Sequence, residues 1–156
     1  VDDRPVRDVD AILVLTHESF YPDGDAHLQR LVAAVRQHDP SLRIAVKAHP
    51  RSEKVEIYRG LFPDILFLDS KVSMELYLPL LQDNCVIIGD ISSALFTANW
   101  FNENTRIIAV SLDDAVPSNL EGNLTRLFRQ LGIPKTDMEQ LPAQLAELRR
   151  PTSVNS

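Results

Sequence analysis

Short apolar runs alternate along this chain with segments whose apolar residues fall at helical spacing, and this alternation limits the possible folds more than any other feature. The first run, residues 11–16 (AILVLT), has the length and β-branched content of a buried strand. A turn-rich stretch follows, Tyr21-Pro22-Asp23-Gly24-Asp25. Residues 26–36 then carry Leu28, Leu31, Val32 and Val35 on one helical face, with Asp25 as the expected N-cap. Further strands are expected at 42–48, 65–68, 86–88 and 106–110, and helices at 53–61, 74–81, 94–101, 119–131 and 138–149. Pro79 should kink or shorten the helix at 74–81. Gly132 and Pro134 stop the helix at 119–131, and Pro142 is a weak spot in the last.

Five strands alternating with helices predict an α/β chain: a Rossmann-like three-layer α/β/α sandwich with a mainly parallel sheet of about five strands. Residues 1–150 are expected to form one domain and 151–156 a flexible tail. The 156 residues include 16 Lys and Arg against 22 Asp and Glu, a formal charge of −6, which argues against general nucleic-acid binding. Cys85 is the single cysteine, so neither an internal disulfide nor a thiolate metal cluster is open to the chain. No stretch approaches the roughly 18 apolar residues of a membrane span, and a cytoplasmic location, with at most peripheral contact with a bacterial inner membrane, is the expectation. The chain starts without Met and its first ten residues are charged rather than signal-like, which reads as a piece of a longer protein or a mature chain.

A parallel sheet of this kind binds its ligand at the carboxyl ends of its strands, near the point where the strand order reverses. The residues following each strand therefore matter most. Thr16-His17-Glu18-Ser19 follow the first, Lys47-Ala48-His49-Pro50-Arg51-Ser52 the second, Asp69-Ser70 the third, Gly89-Asp90-Ile91-Ser92-Ser93 the fourth and Ser111-Leu112-Asp113-Asp114 the fifth. Around the second end, Arg43, Lys47, Arg51, Lys54 and Arg59 stand against only Glu53 and Glu56. Lys47, His49 and Arg51 on alternate positions can converge on an anion, or they can be a solvated basic helix start. Gly89 permits a tight turn or a close backbone approach. Ser92 and Ser93 offer hydroxyls at the start of the helix at 94–101, where free N–H groups suit a phosphate; simple N-capping needs only one of them. Glu75 opens an apolar helix, where an acid usually complements the helix dipole and can also accept from ribose hydroxyls.

Several chemistries are disfavoured. No glycine-rich nucleotide fingerprint and no P-loop occurs among only five glycines. His17, His27, His38 and His49 lack metal-ligand spacing, and no Gly-x-Ser-x-Gly elbow is present. Thr16-His17-Glu18 does not supply the acidic pocket that a phosphorylated Asp would need.

Taken together, Lys47-Ala48-His49-Pro50-Arg51, Met74-Glu75-Leu76 and Gly89-Asp90-Ile91-Ser92-Ser93-Ala94-Leu95-Phe96 resemble, in order and separation, the His-Pro, donor-ribose and Ser-Ser motifs of bacterial sialyltransferases. The resemblance covers residues 47–101 best, and is to the C-terminal, nucleotide-binding half of a two-domain GT-B glycosyltransferase. It implies transfer of sialic acid from CMP-sialic acid to a glycan acceptor bound by a further N-terminal domain, which would also carry the catalytic base. It implies that His49 stabilises the departing CMP as the catalytic residue, that Ser92 and Ser93 hold the same phosphate, that Glu75 binds the ribose, and that Lys47 and Pro50 lie against the cytosine. Thr16, Arg51 and Gly89 complete the implied donor site. No cofactor and no metal is implied. Other donors, CMP-Kdo or CDP-glycerol, and a non-enzymatic flavodoxin-like module stay open as alternatives.

Overall fold

A computed structural model describes residues 6–21, 23–90, 95, 98–99, 106–111 and 126–149. Its strands are β1 (Ala11–Val14), β2 (Ile44–Lys47), β3 (Leu66–Phe67), β4 (Val86–Asp90), β5 (Arg106–Val110) and β6 (Lys135–Thr136). The helices given full bounds are α1 (Gly24–His38), α2 (Val55–Leu61), α3 (Met74–Tyr77) and α4 (Leu141–Leu148). All six strands run parallel in the order β3-β2-β1-β4-β5-β6. The α/β Rossmann-like class read from the alternation of strands and helices is therefore the observed one.

The sheet is covered on both faces, which is why its central strands are apolar at every position rather than at alternate ones. Successive side chains of β1 point to opposite sides. Ala11 and Leu13 join Leu28, Leu31 and Val35 of α1 and Leu141 and Leu145 of α4 in one core. Ile12 and Val14 join Met74 of α3, Leu95, Ala98 and Phe128 in the other. Register keeps the layers aligned: Leu13 lies beside Val46 on one flank and Ile88 on the other.

From β1 the chain steps outward through β2 to β3, then returns across β1 to β4 and proceeds to β5 and β6. The reversal of direction thus lies between β1 and β4, and their carboxyl ends bound the crevice where such sheets bind ligands. Gly89 sets how closely those two strands pack. A Cβ there would stand 2.9 Å from the Val14 carbonyl oxygen and 3.2 Å from the Val14 Cβ.

Several boundaries differ from the sequence expectation, each for a local reason. The N-cap of α1 is Asp23, not Asp25; its carboxylate accepts from the N–H groups of Asp25 and Ala26, both at 3.1 Å. Asp25 lies in the first turn and pairs with Lys54 at 2.9 Å. Pro79 cannot donate to the Glu75 carbonyl one turn back, so α3 ends at Tyr77 and continues only as a 3-10 turn, Leu78–Leu80. A sixth strand, β6, occupies Lys135–Thr136, just before the helix expected at 138–149, where no strand was expected. It is held by Ala109 N–H to the Pro134 carbonyl at 2.9 Å and Ser111 N–H to the Thr136 carbonyl at 2.7 Å. The last helix starts at Leu141, with Pro142 in its first turn, where a missing N–H costs nothing. Gly132, at φ 69°, ends the helical residues 126–130, and Ile133 N–H returns to the Phe128 carbonyl at 2.9 Å. The helix expected at 94–101 is described only at 95, 98 and 99, that at 119–131 only from 126, and the tail 151–156 lies outside the described residues.

Substituting Gly89→Ala should destabilise the fold by about 1–3 kcal/mol, because the new methyl meets backbone rather than a yielding side chain. Gly60→Ala, in α2 with nothing within 4 Å of the added carbon, should be neutral or stabilising by up to about 1 kcal/mol. Urea midpoints of the two variants measured side by side test both values.

Candidate functional site

Asp90 is the last residue of β4 and is 4% exposed. The expected strand stopped at Ile88; the observed one carries this carboxylate to the edge of the crevice. A buried carboxylate must find donors, and the segment leaving β1 supplies them. The Tyr21 hydroxyl donates to Asp90 Oδ2. Thr16 Oγ1 lies 3.1 Å from the same oxygen and 2.7 Å from the Tyr21 phenol oxygen, which also accepts the Thr16 N–H at 3.1 Å. Burial first, and then the Asp90 carboxylate, push the Tyr21 phenol far above its ordinary value, so it stays a donor. His27, buried at 1% exposure on the inner face of α1, stacks on the Tyr21 ring with centroids 4.1 Å apart. Its Nε2 lies 3.4 Å from Asp90 Oδ1, and neither atom has a hydrogen-bond partner among the described residues.

Tyr21, His27 and Asp90 were not among the sequence candidates. A polar residue closing an apolar strand was the available signal for Asp90. His27 falls on the apolar face of its helix, beside Leu28 and Leu31, and there reads as core. Nothing local marks Tyr21, whose role depends on the return of the turn.

His17 leaves β1 next to Thr16, and His49 follows β2 by two residues. Their rings meet edge to face at 5.5 Å. Each commits Nδ1 to a backbone N–H two residues on: Ser19 N–H to His17 and Arg51 N–H to His49, both at 3.2 Å. With Nδ1 as the acceptor, each neutral ring bears its proton on Nε2; His17 Nδ1 also lies 2.9 Å from Ser19 Oγ, a hydroxyl that can donate to it. Both histidines therefore offer N–H donors. Partial burial, followed by the charges of Arg51 and His17, holds His49 below its ordinary value. The turn is tied to the segment leading into α2 by Glu18, whose Oε1 accepts the Glu53 N–H at 2.8 Å. An open cleft of about 450 Å³ lies beside it, lined by His17, Glu18, Tyr21 and Lys54. Another of about 310 Å³, near Arg43 and Asp64, sits at the amino ends of the strands, away from this chemistry.

The remaining candidates are distributed along the same edge. Lys47 ends β2 and is 5% exposed; its Nζ donates to the Ser70 carbonyl at 2.8 Å and contacts the Ala48 carbonyl at 3.3 Å. Burial lowers its pKa, while Asp69 and Glu75 pull in the opposite direction, which places the half-buried Glu75 within electrostatic reach of it. Pro50 and Arg51 are exposed beside His49. Thr16 belongs to the Asp90 network, and Gly89 to the packing of β4 on β1. Ser92 and Ser93 lie outside the described residues. The structure thus brings Thr16, His49 and Arg51 to neighbouring strand ends, and sets Lys47 and Glu75 together at the β2–β3 side.

No family model and no curated protein matches the chain. Its fold is similar to a solved structure, the cobalt-bound form of the deoxy-D-mannose-octulosonate 8-phosphate phosphatase from Haemophilus influenzae. The TM-score is 0.51 at 13% identity, and the match covers 98% of this chain and 96% of that one. At this identity the likeness is one of fold, and it agrees with the Rossmann-like sheet described above. It overturns the resemblance to sialyltransferases: the structural counterpart is a phosphatase, and no sialyltransferase family model matches. The GT-B glycosyltransferase assignment, with its CMP-sialic acid donor, is withdrawn with it. Two of the three short motifs begin at the ends of β2 and β4, where a parallel α/β sheet gathers polar residues, and the third lies on α3, so motifs this short follow the architecture.

The expectation of no metal is likewise corrected, since the structure sharing this fold is a cobalt-bound form. The described residues do not fit an ion readily. Among them no group of three or more His, Cys, Asp or Glu is placed to hold one. Ligation through Nε2 of His17 or His49 would also require moving the ring proton to Nδ1, against a backbone N–H. No helix of the described residues is long and apolar enough to cross a membrane.

Because folding lowers the His49 pKa from 6.5, the neutral ring is the form that the fold favours. That contribution is complete above the unfolded value, and is lost as pH falls through the folded one, since the unfolded chain takes up the proton first. Stability should therefore fall from about pH 7.5 to about pH 5, and His49→Gln should flatten that part of the profile. Urea denaturation at the two pH values, with ring-proton titration by NMR, checks the sign.

Proposed function

We propose that the carboxyl edge around His17 and His49 binds the phosphate of a phosphorylated small molecule, either a nucleotide or a sugar phosphate. The observation that carries this reading is the shared tautomer of the two rings. The two rings meet edge to face at adjacent strand ends, each with an Nε2–H donor, and Arg51 stands two residues from His49 with its charge within electrostatic reach of that ring. Donors without lone pairs suit an acceptor-only ligand, and a phosphate is one. Arg51 adds a planar fork that matches two phosphate oxygens. The location at the carboxyl ends of the strands, by the reversal of strand order, supports the same reading. A sugar phosphate is also the substrate named for the phosphatase that shares this fold. Ser92 and Ser93, following β4, would add hydroxyls to the same phosphate, and Glu75 would meet the sugar beyond it, while Lys47 holds the β2–β3 edge through its bonds to backbone carbonyls.

An arriving anion would favour the protonated form of His49, reversing the effect of its cationic neighbours. Inorganic phosphate, CMP and glucose 6-phosphate titrated separately should include at least one that saturates in the millimolar range or below and raises the His49 pKa. His49→Ala should weaken that ligand by about tenfold, the value of one hydrogen bond to a charged group. Isothermal calorimetry together with histidine ring shifts reads both effects. Absence of saturation by all three at millimolar concentration would sink the phosphate-site reading.

A further inference from the structure

We infer that Tyr21, anchored on Asp90, is a positioning residue for the anion site: it fixes His17 against His49 without touching the ligand. The inference rests on the proposed phosphate site for its functional meaning, and on the turn 16–21 for its geometry. That turn leaves and returns to one place. Its first residue, Thr16, and its last, Tyr21, bond to each other and both to Asp90 Oδ2. Between them, Phe20 N–H closes on the His17 carbonyl at 3.0 Å and Tyr21 N–H on the Glu18 carbonyl at 3.1 Å. His17 caps this single 3-10 turn with its own ring. The ring therefore sits in a loop of few free torsions whose two ends are fixed to a carboxylate on another strand.

Asp90 is an unusual anchor. It is nearly fully buried, and its second oxygen faces a histidine that makes no hydrogen bond through Nε2 among the described residues. A core that served only packing would replace these groups with apolar ones, since a buried carboxylate needs donors merely to recover its desolvation cost. Tyr21 spends its hydroxyl on Asp90 and its ring on His27, so it connects β4, α1 and the end of β1. Removing only that hydroxyl separates positioning from packing, because the stacked ring remains.

The test is Tyr21→Phe, with Thr16→Val and Thr16→Ser as companions, in the whole chain. In the ligand-free wild type, ring protons of His17 and His49 should show a nuclear Overhauser effect, and phosphate should shift both rings. In Tyr21→Phe the Overhauser effect should disappear, the phosphate-induced shift of His17 should vanish while that of His49 remains, and phosphate affinity should fall by about tenfold. Thr16→Val should behave similarly, and Thr16→Ser, which keeps the hydroxyl, should behave as wild type. A His17–His49 Overhauser effect that persists in folded Tyr21→Phe overturns the inference, whatever the affinity. If Tyr21→Phe does not fold, the same measurement in Thr16→Val decides the matter. A wild type that shows the effect but binds no phosphate, together with a Tyr21→Phe variant that does not show it, would leave the positioning role standing and remove the phosphate site.

Discussion

A carboxylate withdrawn from water has to be surrounded by donors, and at the carboxyl edge of this sheet that requirement falls on Asp90. The strand that carries it is central, and the turn after β1 together with His27 closes over the group, leaving it 4% exposed. The segment after β1 answers by folding back: Thr16 and Tyr21 converge on one oxygen, and everything between them is forced into a single tight turn. The placement of His17, the line of the adjoining cleft and the stacking of Tyr21 on α1 all follow from satisfying that one group. Removing the acid would take away the shared acceptor that holds Thr16 and Tyr21 to β4 and leave them bonded only to each other, which is why such networks are kept whole or not at all.

The architecture was largely legible because it rests on periodicity. Apolar runs at 11–16, 42–48 and 106–110 are long enough to declare buried strands, and the stripe Leu28, Leu31, Val32, Val35 declares α1. What escaped is short or rests on a single contact. β6 has two residues, too few for any period, and is defined by hydrogen bonds to β5 rather than by its own composition. The N-cap of α1 was misplaced by two residues because Asp23 and Asp25 are equally good caps on paper, and only one finds Lys54.

The site was legible in part. Reading the residues beyond each strand end named Thr16, Lys47, His49 and Arg51, which stand at the carboxyl edge because the fold class alone dictates where that edge is; Glu75 was named from the start of a helix. It missed the partners that need tertiary return: Tyr21 from a turn, His27 from a helix interior. The likeness to glycosyltransferases arose from the same source as the success. A parallel sheet gathers its polar and ligand-facing residues at the carboxyl ends of its strands whatever its function, so motifs of two or three residues there report the architecture more readily than a lineage.

The shared tautomer of His17 and His49 has a dynamic consequence. Turning either ring over by half a rotation would replace its accepting Nδ1 with a C–H and leave a backbone N–H facing carbon. Each imidazole is thereby confined to one of its two flip states before any ligand arrives. The orientational entropy that a surface histidine normally surrenders on binding has here been surrendered during folding, so a phosphate of the kind proposed would meet a rigid template.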